Sequence, residues 1–428
     1  MEPLAWLYGR QGLGIKLGLD KVRDLLHRVG DPQESMRFVH VAGTNGKGTV
    51  VRLTADVLRR AGHRTGCYTS PHLIRFQERI QVDGEPIPPA DLDRILTSVQ
   101  EPVAALDAQG DPPTFFEVAT VAALLWFQEQ GVAWVAWETG LGGRLDATNV
   151  VSPELTIITN VSDDHLSMLG GSIEAAAREK AGIMKPGVPC VTGAAGRPLA
   201  VLKEVSQERR VPMSILGDDY HALPDVNGFR LLRPDGEAHH ELALAGRHQI
   251  DNAALVVAAM DALRARGHHV PVGAVHEALA HARMPGRMDR RVIERDGRRI
   301  EVLIDGAHNL AGAVALRQHL ADLDWAGFAL ICGFQGDKAW SDLLQQWAPL
   351  ASHGYGVPLR SPRTLDPAAM APVFDIIPFT ACRDVADAME RALDQGAERI
   401  VCAGSLWLAG EALAVLDGVP LEELRGIQ

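Results

Sequence analysis

The stretch Phe38-Val39-His40-Val41-Ala42-Gly43-Thr44-Asn45-Gly46-Lys47-Gly48-Thr49 decides the fold of this chain. Its apolar first half is typical of a buried strand, and its glycines make a tight turn before a helix predicted over 49–60. Such a turn points backbone N–H groups and a helix N-terminus at one place, which suits a polyphosphate. Val41 stands where the strict Walker A pattern has glycine, so the flanking strand and helix carry the assignment. An ordinary strand–helix turn that happens to hold a lysine is the alternative.

The residues of this loop have distinct expected roles. Lys47 is predicted to reach the β- and γ-phosphates, and the Thr49 hydroxyl is predicted to hold Mg²⁺. Gly46 and Gly48 let the backbone close on the ligand because no Cβ stands in the way. Asn45 lies in the same turn. The loop therefore predicts a nucleotide site with magnesium.

The bulk composition limits the classes of function. With 428 residues, 46% apolar and 22% charged, the chain resembles a soluble globular protein of about two domains. Its net charge of -12 argues against a nucleic-acid partner, so bound phosphates must be neutralised locally by Lys, Arg and metal. Five scattered cysteines without a Cys-x-x-Cys pair are typical of reduced thiols in a cytoplasmic protein. No signal peptide and no apolar run of about 18 residues is found, so no membrane span is expected.

Apolar runs alternate with helical patterns along the chain, which predicts an α/β fold with a mostly parallel, doubly wound sheet. The P-loop domain is expected to span 1–284, with a β-rich patch at 212–245 and a loop at 75–89. Met284-Pro285-Gly286-Arg287 interrupts the pattern, so we place the domain boundary there. A smaller, Rossmann-like α/β domain without a P-loop is expected over 285–428.

Polar residues follow several predicted strands at their carboxyl ends, where open α/β sheets bind ligands. Ser70 follows a strand at 65–68, Glu138 ends the apolar run 132–137, and His165 follows a strand at 155–160. We expect Glu138 and His165 at the ends of neighbouring strands, where a carboxylate and an imidazole near a triphosphate would hold Mg²⁺. For each residue alone, an ordinary loop role is the more common alternative.

Four further positions have both a structural and a functional interpretation. Lys180 is a charged helix position, for which a solvated lysine is the usual case. Arg287 is either a solvated linker residue or a phosphate contact. Asp305-Gly306-Ala307-His308-Asn309 ends a strand, either as a turn capped by Asp and Asn or as a site facing the P-loop domain. Gly404-Ser405-Leu406 resembles a helix N-cap as much as a binding loop.

Together these motifs resemble the folylpolyglutamate synthase and dihydrofolate synthase family of the Mur ligase superfamily. The resemblance runs from about residue 15 to about residue 411, and nine motifs occur in the family's order. They are Val41 to Thr49, Thr69-Ser70-Pro71-His72-Leu73 with Glu78-Arg79-Ile80, Thr114-Phe115-Phe116-Glu117, Glu138 to Asn149, Asp164-His165, Glu179-Lys180-Ala181-Gly182-Ile183, His248-Gln249 with Asn252, Pro285-Gly286-Arg287, and Asp305 to Asn309.

The resemblance implies a role for each matching residue. ATP would meet Asn45, Gly46, Lys47, Gly48, Thr49, Asn252, Arg287 and Asp305. Thr49, Ser70 and Glu138 would hold one Mg²⁺, Glu138 and His165 would hold a second, and K⁺ is a further candidate ion. Lys180 resembles the family's carbamylated lysine and, with Lys47 and His308, is expected to be catalytic. The pterin or folate would meet Leu17, Thr114, Phe115, Phe116, Glu117, Leu145, Asp146 and Ala147, and glutamate would meet His308 and Ser405.

The chain departs from the family pattern at two positions. Asp337-Lys338-Ala339 stands where the family usually has Asp-Lys-Asp, so a role for the last carboxylate is in doubt. Trp407 stands where Tyr is more common, which is a mild change.

The implied activity is an ATP-dependent amide ligase acting on small molecules, which we expect to be a monomer. ATP would phosphorylate a folate-side carboxylate, and the amine of L-glutamate would attack the acyl phosphate. Dihydropteroate, a folate or both are open as acceptors, and we favour both. A peptidoglycan-precursor Mur ligase is one alternative, although only about forty residues precede the P-loop, too few for its extra domain. A nucleotide-switched binding protein is the other, and the strand-end cluster of the second domain argues against it.

Overall fold

A computed structural model describes residues 2–14, 18–164 and 166–420 of the chain. Within these residues the strands form three sheets, of eight, three and six strands. The elements of the first region are α1 (Pro3–Gly9), α2 (Asp20–Arg28), β1 (Arg37–Ala42), α3 (Lys47–Arg60), β2 (Thr65–Tyr68), β3 (Ile80–Val82), β4 (Glu85–Pro86), α4 (Pro89–Ala108), α5 (Phe115–Glu129), β5 (Trp134–Glu138), β6 (Pro153–Ile158), α6 (Ile173–Ala181), β7 (Cys190–Thr192), α7 (Gly196–Arg209) and β8 (Met213–Ile215).

The first sheet has the order β4-β3-β2-β5-β1-β6-β7-β8. The strands from β2 to β8 in this order run parallel, and β3 and β4 extend one edge antiparallel. β1 lies in the centre because its apolar residues are buried by helices on both faces. This arrangement confirms the mostly parallel, doubly wound sheet that the sequence predicts, with the phosphate-binding loop at its middle.

The prediction of a plain loop at 75–89 is wrong, because this segment contains the β3–β4 hairpin. Ile80 and Ile87 are buried there, so the hairpin closes one side of the sheet. Strands of two and three residues are too short to show the alternation of apolar and polar residues by which strands are recognised.

A small antiparallel sheet forms in the predicted β-rich patch and packs on the helices that follow it. Phe229 and Leu231 point into the core that these elements share with the first sheet. The elements are β9 (His221–Asp225), β10 (Gly228–Arg233), β11 (Gly236–Glu241), α8 (Arg247–Ala265) and α9 (Val272–Ala280).

The remaining residues form the second α/β unit, whose sheet has the order β12-β13-β17-β14-β15-β16. All neighbours in it are parallel except β12 and β13. The sequence pattern missed β12 and β16, which are the two edge strands. The elements are β12 (Asp289–Arg295), β13 (Arg298–Asp305), α10 (Leu310–Asp322), β14 (Phe328–Cys332), α11 (Trp340–Trp347), β15 (Ala351–Gly356), β16 (Phe379–Ala381), α12 (Val385–Asp394), β17 (Arg399–Ala403) and α13 (Leu406–Leu416).

Two expectations from the sequence concern the cysteines and membrane-spanning helices. All five cysteines are buried free thiols, as their scattered spacing predicts. Of the helices in the described part of the chain, none combines the length and the apolar character needed to cross a membrane.

Candidate active site

One cleft of about 1100 Å³ opens at the carboxyl ends of both large sheets. Leu17 and His165 lie outside the described residues, and every other site residue predicted from the sequence lines this cleft. These residues are Asn45, Gly46, Lys47, Gly48, Thr49, Ser70, Thr114, Phe115, Phe116, Glu117, Glu138, Leu145, Asp146, Ala147, Lys180, Asn252, Arg287, Asp305, His308 and Ser405.

The phosphate-binding loop is shaped by close backbone packing at Gly46. This residue has φ +82°, and a Cβ on it would come within 2.3 Å of Asn252 Oδ1. A side chain here would therefore strain the backbone and would also displace the side chain of Asn252. The backbone N–H of Asn45 donates to Asn160 Oδ1 at 3.0 Å, which fixes the loop to the segment after β6. The loop thus leads directly into the N-terminus of α3, and a helix N-terminus is a favourable place for a polyphosphate.

Glu138 ends β5 beside this loop and is 3% exposed. Its Oε2 accepts the backbone N–H of Ser70 at 3.1 Å, and it lies 3.7 Å from where a Cβ on Gly48 would be. Burial raises the pKa of Glu138, and the positive charge of Lys47 opposes that rise. Thr49 and Ser70 line the same cleft, and their hydroxyls together with a buried carboxylate are the kind of hard oxygen ligands that Mg²⁺ prefers.

The expectation that Glu138 and His165 follow neighbouring strands is wrong. β1 lies between β5 and β6, so Glu138 and the segment after β6 flank the phosphate-binding loop on opposite sides. Adjacent order in the sequence does not imply adjacent order in a doubly wound sheet. Across residues 2–14, 18–164 and 166–420, no group of three or more His, Cys, Asp and Glu side chains is arranged to hold a metal ion.

Lys180 is only 3% exposed, so the interpretation as a solvated helix lysine is wrong. Its helix, α6, packs tightly on the loop 140–149, because Gly182 allows the backbone of Arg144 to approach. A Cβ on Gly182 would lie 2.3 Å from Arg144 Cα. Burial, and then repulsion by Lys47, lowers the pKa of Lys180 to about 7. The cleft therefore contains an amine that is partly neutral near pH 7.

The predicted folate stretches form an aromatic wall and a capped helix end. Glu117 is 3% exposed, and its Oε2 accepts both the N–H and the hydroxyl of Thr114, the N-cap of α5. Asp146 accepts the N–H groups of Leu141 and Thr148, so its carboxylate holds the loop 140–149 in shape. Phe115 and Phe116 add aromatic surface to this side of the cleft, next to the hydrogen-bonded carboxylates of Glu117 and Asp146.

The second unit brings polar groups to the opposite side. The carboxylate of Asp305 accepts the N–H groups of Met288 and Ala307, and the charge of Arg287 lowers the pKa that burial raises. Asp305 thus makes the contacts expected of a turn and also lines the cleft. Ser405 is the N-cap of α13 and is also part of the cleft wall. His308 Nδ1 lies 2.9 Å from the carbonyl oxygen of Gly306, and burial lowers the pKa of its imidazole.

Several cleft residues were not singled out as site residues from the sequence. Arg79 is almost fully buried against Phe76 and Phe115. His248 is another, and Asn309 and Lys338 of the second unit both donate to Asp164 of the first unit. All stand in motifs that carried the resemblance or beside a departure from it. The motifs did not reveal which of these side chains face the cleft, because that depends on tertiary packing.

Comparison with known proteins identifies the class of protein. Residues 41–260 match the family model of the Mur ligase middle domain. A P-loop at the centre of a parallel sheet, facing a second α/β unit across one cleft, agrees with this match. The fold and the site therefore define a Mur ligase.

Three relatives narrow the class. Dihydrofolate synthase/folylpolyglutamate synthase of Bacillus subtilis is 36% identical over 366 residues, which are 82% of this chain and 83% of that protein. The structure of E. coli FolC in complex with DHPP and ADP has a TM-score of 0.86 at 29% identity and 98% coverage of both chains. A bifunctional folylpolyglutamate synthase/dihydrofolate synthase with Mn, AMPPNP and L-glutamate bound has a TM-score of 0.85 at 27% identity, covering 97% of this chain and 98% of that one. This chain belongs to the folylpolyglutamate synthase and dihydrofolate synthase family, and it is an ATP-dependent ligase.

Proposed function

We propose that this protein joins L-glutamate to dihydropteroate, to a folate, or to both, with cleavage of ATP to ADP. The observation that carries the proposal is the single cleft. It has the phosphate-binding loop at its base, the aromatic wall of Phe115 and Phe116 on one side, and His308 and Ser405 of the second unit on the other. Three substrates must meet for this reaction, and we assign each of them to a different side of the cleft.

The nucleotide is assigned to the loop Asn45–Thr49 with Asn252, Arg287 and Asp305. Lys47 would neutralise charge on the transferring phosphoryl group, and the N–H groups of the loop would orient it. Phosphorylation of the acceptor carboxylate forms an acyl phosphate. The amine of glutamate then attacks its carbonyl carbon, releasing phosphate. The protein contributes orientation, charge neutralisation and exclusion of water.

The ions are assigned to the residues whose chemistry fits them. Thr49, Ser70 and Glu138 would hold one Mg²⁺, and Glu138 with His165 would hold a second. A bound Mg²⁺ would stabilise negative charge on the phosphates. Removing Mg²⁺ with a chelator should abolish turnover. A requirement for K⁺ rests on the family resemblance alone, and exchange of K⁺ for Na⁺ in the assay tests it.

Lys180 is assigned as a carbamylated lysine. Only the neutral amine reacts with CO₂, and a pKa of about 7 makes that form available. Carbamylation replaces an ammonium repelled by Lys47 with an anion, which would face the second Mg²⁺. The local charges thus favour the modification.

The acceptor and the amino acid are assigned to opposite walls. Leu17, Thr114, Phe115, Phe116, Glu117, Leu145, Asp146 and Ala147 would bind the pterin or folate, and His308 and Ser405 would bind glutamate. We also propose a P-loop domain over 1–284 and a glutamate-ligase domain over 285–428. A cytoplasmic monomer completes the proposal, and gel filtration with light scattering tests the oligomeric state.

The deciding assay supplies purified protein with ATP, Mg²⁺ and L-glutamate, and with dihydropteroate or tetrahydrofolate as acceptor. ADP release should require both glutamate and an acceptor, and mass spectrometry should find each product heavier by one glutamyl unit. Comparison of the two acceptors decides between the single and the dual activity. ADP release that is independent of glutamate, without an amide product, would contradict the proposal and favour a nucleotide-switched binding protein.

A further inference from the structure

The two units contact each other directly at the phosphate-binding loop, through a residue to which no role has been assigned above. Asn309 Nδ2 donates to Asn45 Oδ1 at 2.9 Å and to Asp164 Oδ2 at 3.3 Å. Asn309 belongs to the second unit, whereas Asn45 and Asp164 belong to the unit with the P-loop. One side-chain amide therefore spans the cleft.

The orientation of this amide is fixed by the helix that it caps. Asn309 is the N-cap of α10, and its Oδ1 accepts the backbone N–H of Gly312 at 3.0 Å. An amide has one acceptor oxygen and one donor nitrogen, so a capping oxygen leaves Nδ2 as the group that faces Asn45. The direction of the contact across the cleft thus follows from the capping bond.

An ion pair supports the same contact. Lys338 Nζ donates to Asp164 Oδ1 at 3.3 Å, and the side chains of Lys338 and Asp164 are 24% and 11% exposed. Asp164 therefore accepts from both Asn309 and Lys338 in a place partly shielded from water, where charge-assisted hydrogen bonds are stronger than on the surface.

The segment from Asn160 to Asp164 is hydrogen-bonded to the phosphate-binding loop. The N–H of Asn45 donates to Asn160 Oδ1 at 3.0 Å, and the N–H of Ser162 donates to Thr44 Oγ1 at 3.0 Å. Because of these bonds, the loop and the segment up to Asp164 form one structural piece. A displacement of Asp164 or Asn45 should therefore also displace the loop.

We propose that Asn309 is a positioning residue, which holds the phosphate-binding loop at a fixed distance from His308, with the Lys338–Asp164 pair as a second tie. The inference rests on the proposed function, in which His308 lies beside the incoming glutamate and Lys47 beside the phosphates. Asn309 follows His308 directly in the chain. The N-terminal end of α10 therefore has His308 beside the incoming glutamate and Asn309 bonded to the phosphate-binding loop. Correct spacing shields the acyl phosphate from water until the amine attacks.

The alternative is that Asn309 only caps α10, and one substitution separates the two roles. Asn309→Ser keeps a good N-cap but removes the donor that reaches Asn45. We expect an unchanged thermal midpoint, a loss in kcat/KM for ATP of roughly tenfold, and an unchanged KM for the folate acceptor. We also expect more than one ADP released per amide formed, because a loosened cleft hydrolyses the acyl phosphate.

Three further variants complete the test. Lys338→Met removes no capping bond and should show the same excess of ADP over amide. The double variant, Asn309→Ser with Lys338→Met, should lose less activity than the product of the two single losses, because both ties end on Asp164. Gln318→Ala, which removes an exposed hydrogen bond on α10, serves as the matched control and should behave like the unmodified protein.

The outcomes distinguish this inference from the proposed function. If the unmodified protein shows no glutamate-dependent ADP release, the proposed function is wrong. If it does, and Asn309→Ser retains both its ATP kinetics and a ratio of one ADP per amide, Asn309 is only a cap and the inference is overturned. An equal decline of stability and all kinetic parameters in that variant, with Lys338→Met unaffected, would also overturn it.

Discussion

At the scale of single residues, local sequence patterns predicted the strand, turn and helix around Lys47 but not the burial of Lys180. The loop is recognisable because its function needs glycines and a lysine at short spacing, all within one turn. The burial of Lys180 instead depends on Gly182, which lets the loop 140–149 close over α6. No local pattern contains that contact, so a solvated lysine was the reasonable interpretation from composition alone.

The pKa of Lys180 leads to a prediction about pH and CO₂. At constant dissolved CO₂, activity should rise from about pH 6 to about pH 8, because protonation below a pKa of about 7 removes the amine that forms the carbamate. A higher CO₂ pressure should shift this rise in activity to lower pH. Initial rates at several CO₂ pressures measure the effect.

Variants provide the controls for this prediction. Lys180→Ala should lose activity together with the CO₂ dependence, and a small carboxylate should restore part of the rate. Lys203→Ala removes an exposed lysine of α7 and should change neither. Full activity of Lys180→Ala, or a pH profile that ignores CO₂, would contradict the assignment of a carbamate.

Lys47 provides a second prediction at this scale. Lys47→Ala should reduce ATP turnover by a factor of at least about 100, because a phosphate-facing cation is lost from a site of low dielectric. The thermal midpoint should stay close to that of the unmodified protein, since Lys47 is the first residue of α3, lines the cleft, and donates only to the carbonyl oxygen of Thr44 within the described contacts. Normal turnover in this variant would refute the nucleotide assignment of the loop.

At the scale of elements, the long apolar strands and amphipathic helices were predictable, and the short edge strands were not. β14, α11 and α13 occur where the sequence predicts them, because burial imposes their periodicity. The β3–β4 hairpin and the edge strands β12 and β16 are short or partly exposed, so burial imposes less of a pattern on them. The order of the strands is likewise absent from local sequence, and this explains the wrong placement of Glu138 beside the segment after β6.

The contact between α6 and the loop 140–149 predicts an unusual response to a small substitution. Gly182 is the C-cap of α6 and has helical backbone angles that alanine can adopt, but an alanine Cβ would lie 2.3 Å from Arg144 Cα, so the packing must open. We expect a loss of about 1–3 kcal/mol in the free energy of unfolding and a weaker folate interaction. Urea unfolding and acceptor KM measure the two effects.

Gly273→Ala is the matched control for this substitution. Gly273 lies in α9 with open space where a Cβ would be, so the same exchange should stabilise the protein by up to about 1 kcal/mol. If Gly182→Ala matched this control in stability, the close approach would not constrain the loop.

At the scale of the whole molecule, the sequence indicated one site from several distant motifs, and the cleft brings their described residues together. That part was predictable because parallel strands deliver their carboxyl ends to one edge. The contacts between the units were not predictable, because Asn309 and Lys338 meet Asp164 only after both sheets are folded and docked.

The junction between the units predicts a change of shape on binding. Gly286 has φ +67°, and a Cβ on it would lie 3.3 Å from both Leu73 of the first unit and Ala409 of the second. A hinge here can rotate because glycine accepts unusual backbone angles. Scattering profiles should therefore contract when an ATP analogue and an acceptor are both bound. Identical profiles with and without the two ligands would show that catalysis does not need closure.

The last prediction tests whether the second unit completes the nucleotide site. Asp305 accepts the N–H groups of Met288 and Ala307, so it fixes the backbone next to both Arg287 and His308. Asp305→Ala leaves two buried N–H groups without their acceptor and should weaken ATP binding, whereas Asp305→Asn, which keeps an acceptor oxygen, should have a smaller effect. Titration with a fluorescent nucleotide measures the affinities, and the KM of the folate acceptor should stay unchanged because its wall belongs to the first unit. Asp342→Ala, an exposed position on α11, is the control. Unchanged ATP affinity and turnover in Asp305→Ala would mean that the nucleotide site is complete without the second unit, and a catalytic cleft formed by both units would then be excluded.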